Sequence, residues 1–313
     1  MNPTTMLDHI FQPGFFTSEE VRTALLVGGV VAIISGIVGV FTVLRGQSFA
    51  GHSLADIGTT GGSGAFLVNV SPLFGFLVFT LAGAGVMELI GIRRARGRDL
   101  ATGIVLGVSL GVSALFLYLD TTFDNTSGAA MTVLFGSIFT ISPSTLWPVA
   151  IFGAVSLLLT ALLYRPLLLT GVSADIAASR GAPVRLVGLG FLAALAIAVG
   201  LSAIAIGSIL STALVIVPAA TAVRLTRRPG VAMLLAGALG LVFVWLGVLL
   251  SYDSYDWPPA HHGWPVSFLV VGLFFVTFVV VEIGSAAGRS RSRRGARAGV
   301  RPVGVDPVEA MGN

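Results

Sequence analysis

Two side chains four residues apart, His52 and Asp56, stand in a stretch that is otherwise small and apolar. On a helix such residues share a face with Cβ atoms about 6 Å apart, so an imidazole nitrogen and a carboxylate oxygen can hold one divalent cation. The same spacing suits a His–Asp hydrogen bond that fixes helix packing, and spacing alone leaves both roles open. Asp56 follows Arg45 by eleven residues, roughly 16 Å along one continuous helix and near the middle of a ~30 Å hydrocarbon core. An ionisable group at that depth is costly unless compensated. The next residues, Gly58-Thr59-Thr60-Gly61-Gly62-Ser63-Gly64, allow close backbone approach and expose carbonyls. Helices that line a pathway have this feature, and so do tightly packed ones.

Other polar groups carry weaker signals. Asp253 and Asp256 precede His261 and His262; together they form an entry point for cations or a solvated turn among Pro258, Pro259 and Pro265. Glu88 and Glu282 fall at helix ends, where they pair with arginine or reach headgroups. Gly103, Gly107 and Gly111 form a small-residue ladder suited to helix packing.

Composition narrows the chemistry. The 313 residues are 55% hydrophobic and 10% charged, with a mean hydropathy of +0.96, against about 25% charge in an average soluble chain. A water-soluble enzyme is excluded; lipid is the main solvent. All 18 basic residues are arginine. Without lysine there is no P-loop and no Schiff base, so any ATP-driven energy comes from a partner. Without cysteine there are no disulfides, thiolate metal ligands or Fe–S clusters. The arginines cluster beside apolar runs rather than on a folded basic face, which argues against nucleic acid. No H-E-x-x-H motif supports a membrane metalloenzyme.

Seven stretches have spanning length: 23–44, 73–92, 100–119, 146–164, 185–205, 231–251 and 266–282. Two more, 53–70 and 207–223, are apolar enough to cross but rich in Gly, Ser, Thr or Pro. The expectation is an all-α polytopic membrane protein of about nine transmembrane helices. The stretch 129–141 is too short for a bilayer needing about 20 residues and reads as interfacial or re-entrant. Nine spans put the arginines of 45, 93–98, 165–185, 224–228 and the tail on the cytoplasmic side, while the arginine-free loops 120–127 and 252–265 face out. The N-terminus is then outside and the C-terminus inside; Arg22 is the one misfit. Residues 1–22 form an extracytoplasmic segment without the basic start or cleavage site of a secretory signal. Residues 23–284 form the transmembrane domain. Residues 285–313, rich in Arg, Gly, Ser and Pro, read as a disordered cytoplasmic tail that anchors topology near anionic membrane lipid.

At three places the wording resembles a known family, the membrane permeases of zinc, manganese and iron ABC importers. The run Gly207-Ser208-Ile209-Leu210-Ser211-Thr212-Ala213-Leu214-Val215-Ile216-Val217-Pro218-Ala219-Ala220-Thr221-Ala222 is similar to that family's G-x-x-L-x-x-A-L-L-x-x-P-A-A-x-A. Leu134-Phe135-Gly136-Ser137-Ile138 resembles its L-F-G-S segment, and Leu44-Arg45 through Ser48-Phe49 and Gly51 a third block. The resemblance spans roughly residues 43–251. After the third block the family places an Asp and, four residues on, a His; here His52 takes the first position and Asp56 the second, an inverted pair with its spacing kept. By resemblance this pair lines the metal path. Asp175-Ile176-Ala177-Ala178-Ser179-Arg180-Gly181, within a segment at about 170–183, resembles the family's E-A-A-x-x-x-G coupling helix, which makes Asp175, Ala177 and Gly181 the ATPase contacts.

The resemblance implies a homodimer in the bacterial cytoplasmic (inner) membrane, with a transported divalent metal ion but no permanently bound cofactor. It implies cytoplasmic ATP-binding subunits that use the ATP, and an extracytoplasmic metal-binding protein that delivers the ion. Imidazole plus carboxylate is compatible with zinc, manganese or iron(II). Gly58, Gly61, Gly62, Gly64 and Pro218 serve packing or the pathway. Two alternatives remain: the permease of a siderophore, haem or cobalamin-type importer, whose R-N-P-L-A-type signature is absent, and an ion-coupled secondary transporter using Asp56.

Overall fold

The computed structural model describes residues 15, 17–91, 95–123, 128–136, 138–256 and 263–299. Among them are helices and turns but no strand, as lipid demands of a backbone that must satisfy its own hydrogen bonds. The helices are α1 (Glu19–Leu44), α2 (Ser48–Leu67), α3 (Pro72–Gly91), α4 (Ala95–Phe123), α5 (Ala129–Phe135), α6 (Leu146–Leu162), α7 (Tyr164–Val172), α8 (Ala174–Ser179), α9 (Val184–Ile206), α10 (Ser208–Leu225), α11 (Pro229–Asp253) and α12 (Val266–Gly299). Among the described residues eight helical stretches are long and apolar enough to cross a membrane. The chain is an all-α polytopic membrane protein. The additional stretch expected at 53–70 is α2, whose 20 residues have the length but carry the polar run. Its chain turns at residues 45–47, so Asp56 lies about 12 Å from the start of α2 rather than about 16 Å along one helix from Arg45.

α1 and α9 are the most enclosed helices. The Ser35 and Ser202 hydroxyls join them at 2.7 Å, and Ser202 also donates to the Ala198 carbonyl. Ser156 donates to the Ala194 carbonyl and fastens α6 to α9. Because lipid tails are as apolar as leucine, close packing holds membrane helices together. α2 lies along α3, and at their crossing a Cβ on Gly61 would meet the Gly75 carbonyl and the Phe79 side chain.

Several boundaries depart from the sequence reading. α1 begins at Glu19, inside the segment 1–22, because the Ser18 hydroxyl accepts from the Val21 N–H at 3.4 Å and donates to Glu20 at 2.6 Å. Asp120, expected in an outer loop, is 1% exposed and lies within α4, which continues through Phe123. α12 is helical through Gly299, where disorder was expected from 285; a helix already nucleated by an apolar span propagates through Ala and Arg at small cost. Residues 300–313 lie outside the described residues. The ladder Gly103, Gly107, Gly111 meets nothing within 4 Å, because α4 packs on α2 through a different face, with Ser113 bonded to Thr60 and Phe116 against Gly64.

The short stretch 129–141 forms α5 and a 3-10 turn at Ile138–Thr140. α5 stops at Gly136 (φ 75°), and α10 starts after Gly207 (φ 86°). A Cβ on either glycine would strike the other segment's backbone, and the positive φ independently excludes most side chains.

The described arginine loops gather at one end. Arg45 bonds Thr170, the Phe41 ring meets Tyr164 edge-on, and Arg224 pairs with Glu282 at 3.0 Å, one of the two roles expected for that glutamate. At the opposite end Phe15 packs on Tyr252, and Ser251 donates to the Trp264 carbonyl at 2.6 Å.

Candidate functional site

α2 is buried along most of its length, since Gly58, Gly61 and Gly62 press against Phe76, Gly75 and Thr80 of α3, and Gly64 faces Phe116 of α4. These glycines therefore pack helices. One stripe is left open at the start of α2, formed by Phe49, His52 and Asp56. His52 Nε2 stands 3.7 Å from Asp56 Oδ2, with side chains 53% and 16% exposed. That separation is longer than a hydrogen bond. Two metal bonds of about 2.1 Å at a tetrahedral angle would place such atoms about 3.4 Å apart, so a small side-chain rotation makes the pair a bidentate grip.

Among the described residues no cluster of three or more His, Asp or Glu exists. The pair thus offers two ligands where a divalent ion takes four to six; water or a second copy must complete the shell. Two and three turns beyond His52, Thr59 and Ser63 occupy the same helix face by the 3.6-residue period. Both are buried and donate to backbone carbonyls of their own helix. Thr60 beside them bonds Ser113 at 2.9 Å and the Ser109 carbonyl at 2.8 Å. The face is open at His52 and closed by α4 from Thr60 onward. Thr59, Thr60 and Ser63 stand within the Gly58–Gly64 run, and their spacing from His52 and Asp56 is legible in the sequence.

The other expected positions lie apart. Asp253 ends α11 and is half-buried, and Asp256 sits in the 3-10 turn Ser254–Asp256. His261 and His262 fall outside the described residues. Beside that turn Tyr252, Tyr255, Trp264 and Phe139 line a cavity of about 460 Å³. A second cavity, about 350 Å³, gathers the hydroxyls of Ser71, Thr132, Thr140, Ser142 and Thr145 with Phe66 and Phe76. Two stretches distant in sequence, at 71 and 132–145, bring these hydroxyls together, so no linear motif announces them.

At the arginine end, Ser173 caps α8 by accepting from the Ile176 N–H at 3.4 Å. Asp175 is exposed in its first turn, Ala177 is fully buried and Gly181 turns the chain at φ 78°. A short capped helix with one buried alanine and an exposed acid is a surface knob fixed to α7 and α9. Pro218 is buried within α10 without ending it.

The chain is 27% identical over 244 residues to the manganese transport system membrane protein MntC of Listeria monocytogenes, covering 78% of this chain and 85% of that protein. It is 28% identical over 243 residues to the manganese import system permease protein ScaB of Streptococcus parasanguinis, with 78% and 85% covered. The structure of PsaBC from Streptococcus pneumoniae in complex with Fab superposes with a TM-score of 0.71 at 24% identity, covering 86% of this chain and 92% of that chain, and so shares the fold. The ABC 3 transport family matches residues 17–281, nearly the whole described bundle, and this chain belongs to that family.

Proposed function

We propose that this chain is the membrane-spanning permease of an ABC importer for manganese(II), with His52 and Asp56 as transient ligands of the crossing ion. The observation that carries the reading is the 3.7 Å His52–Asp56 pair on the open stripe of α2, in a transport-family chain whose relatives are named for manganese. A hydrated divalent ion cannot enter hydrocarbon, and a bare one is far costlier. An imidazole and a carboxylate replace part of its water, and the same two groups from a second copy supply four protein ligands across a homodimer. Zinc and iron(II) accept these donors too; the names of the relatives favour manganese. Two ligands per copy hold an ion loosely enough to release it.

Energy comes from separate ATP-binding subunits, since a chain without lysine has no Walker site. They dock on the segment at 170–183, where Asp175, Ala177 and Gly181 form the knob of α8. A metal-binding protein delivers the ion at the opposite end, near Asp253, Asp256, His261 and His262. ATP binding shifts the pair between outward and inward access by its differential affinity for the two states. The permease lies in the bacterial cytoplasmic membrane with nine spans counting α2, N-terminus out and C-terminus in, and the segment 285–313 as a basic anchor against anionic lipid.

The test is metal accumulation, read by elemental mass spectrometry, in cells expressing the chain with its ATPase and binding protein. Manganese rises with the wild type and falls to background with His52→Ala/Asp56→Ala at equal membrane content. Unchanged uptake by the double variant would return the pair to a packing role. Accumulation of no divalent metal would end the importer reading.

A further inference from the structure

The residue that joins α1 to α2 is tied to the segment that leads into α8. Arg45 caps the C-terminus of α1, its N–H donating to the Phe41 and Val43 carbonyls. The chain then reverses through Gly46 (φ 62°) and Gln47, whose N–H donates to Thr42 at 2.9 Å, and α2 begins at Ser48. His52 lies just over one turn into that helix. The Arg45 side chain leaves the turn sideways. Its Nη1 donates to the Thr170 hydroxyl in the last turn of α7, 125 positions away in sequence. Its stem packs over Gly171, where a Cβ would lie 3.8 Å from Arg45 Cγ. Its guanidinium carbon stands 5.3 Å above the Phe191 ring of α9, within the range of a cation–π contact. Glu88 of α3 packs over Gly188 of α9, one turn from Phe191, and acts electrostatically on Arg45.

Thr170 is itself held, donating to the Pro166 carbonyl at 2.8 Å. Three residues later Ser173 caps α8. From Arg45 to the α8 knob the linkage is therefore one hydrogen bond and a single residue between two helices. One part of it is unfinished: Arg45 Nε and Gln47 Oε1 are both buried and without a partner.

We propose that Arg45 is a positioning residue which passes movement of the ATPase-docking segment α7–α8 to α2, and so sets the access of the ion to His52 and Asp56. The inference rests on the permease reading above. A shift of α8 carries Thr170 with it, Thr170 draws the guanidinium across Phe191, and the 45–47 turn tilts the start of α2. A planar guanidinium suits the task, since it hydrogen-bonds at its edge while sliding on an aromatic face.

The test uses the permease with its ATPase and binding subunits in lipid nanodiscs and liposomes. ATP hydrolysis and manganese uptake are measured for wild type, Arg45→Gln, Thr170→Val, the double variant and Asp56→Ala. Arg45→Gln and Thr170→Val each keep assembly and basal hydrolysis but move about tenfold fewer ions per ATP, the scale expected for losing one charged hydrogen bond. The double variant is no worse than Arg45→Gln, because both remove the same link. Wild-type ions per ATP in both single variants overturns the proposal. So does lowered assembly in Arg45→Gln with a wild-type Thr170→Val, which marks a structural arginine. Asp56→Ala separates the two readings: uptake that survives it sinks the ligand pair, whatever the Arg45 result.

Discussion

Replacing Gly61 with alanine tests the packing that holds α2, the helix that carries His52 and Asp56. An alanine Cβ at Gly61 would lie 2.7 Å from both the Gly75 carbonyl carbon and the Phe79 Cβ, and closer still to the Gly75 oxygen. Ordinary contact begins near 3.4 Å, so α2 and α3 must part by at least about 0.7 Å. A gap of that size forfeits a quarter to a half of each dispersion well. With roughly forty atom pairs at about 0.15 kcal/mol each along the crossing, the loss is on the order of 2 kcal/mol, within the range of overpacked cores. The helix-propensity gain of Gly→Ala, about 1 kcal/mol, offsets part of it. Gly85→Ala on α3 meets nothing within 4 Å and keeps that gain, so it is the matched control. Thermal unfolding in detergent should place Gly61→Ala several degrees below wild type and Gly85→Ala at or above it, taking about 2–4 °C per kcal/mol. Manganese uptake should fall for Gly61→Ala, because His52 and Asp56 ride on the displaced helix. Equal melting of the two variants refutes the reasoning from close approach.

Two further outcomes follow from particular contacts. Ser173→Ala removes the cap of α8 and about 1 kcal/mol of local stability; uptake should fall several-fold with insertion unchanged, and normal uptake would show that α8 needs no cap to dock. Arg224→Glu and Glu282→Arg should each cost under about 1 kcal/mol, as expected for a half-exposed pair. Their combination should restore the wild-type melting temperature, and an additive double variant would deny that the 3.0 Å contact is energetic.

Helix positions were legible because lipid forces each span to announce itself as an apolar run, and 185–205 matches α9 within a residue at each end. The break before α10 was legible as Gly207, and the α8 knob as Ser173-Ala174-Asp175 with Gly181 behind it. Side-chain direction was harder to read. Within one copy α4 meets α2 through Ser113 and Phe116 rather than through the Gly103 ladder, since hydropathy does not say which face of an apolar helix meets a given neighbour. Asp120 looked like a loop residue because one acid ends an apolar window, while its burial depends on neighbours from other helices. The His52–Asp56 pair was visible in sequence, but its openness on α2 and the link from Arg45 to Thr170 exist only once distant segments meet.

The crossing of Gly136 and Gly207 has a consequence for how this bundle can deform. Two backbones that touch without intervening side chains make a fulcrum, a point where α10 can tilt but hardly slide. α10 extends about 27 Å from it. A tilt of about 10° at the fulcrum therefore sweeps Arg224 and Leu225 through about 5 Å while leaving the crossing in place. The molecule is geared so that small angular changes at one face become displacements of atomic diameter or more at the other.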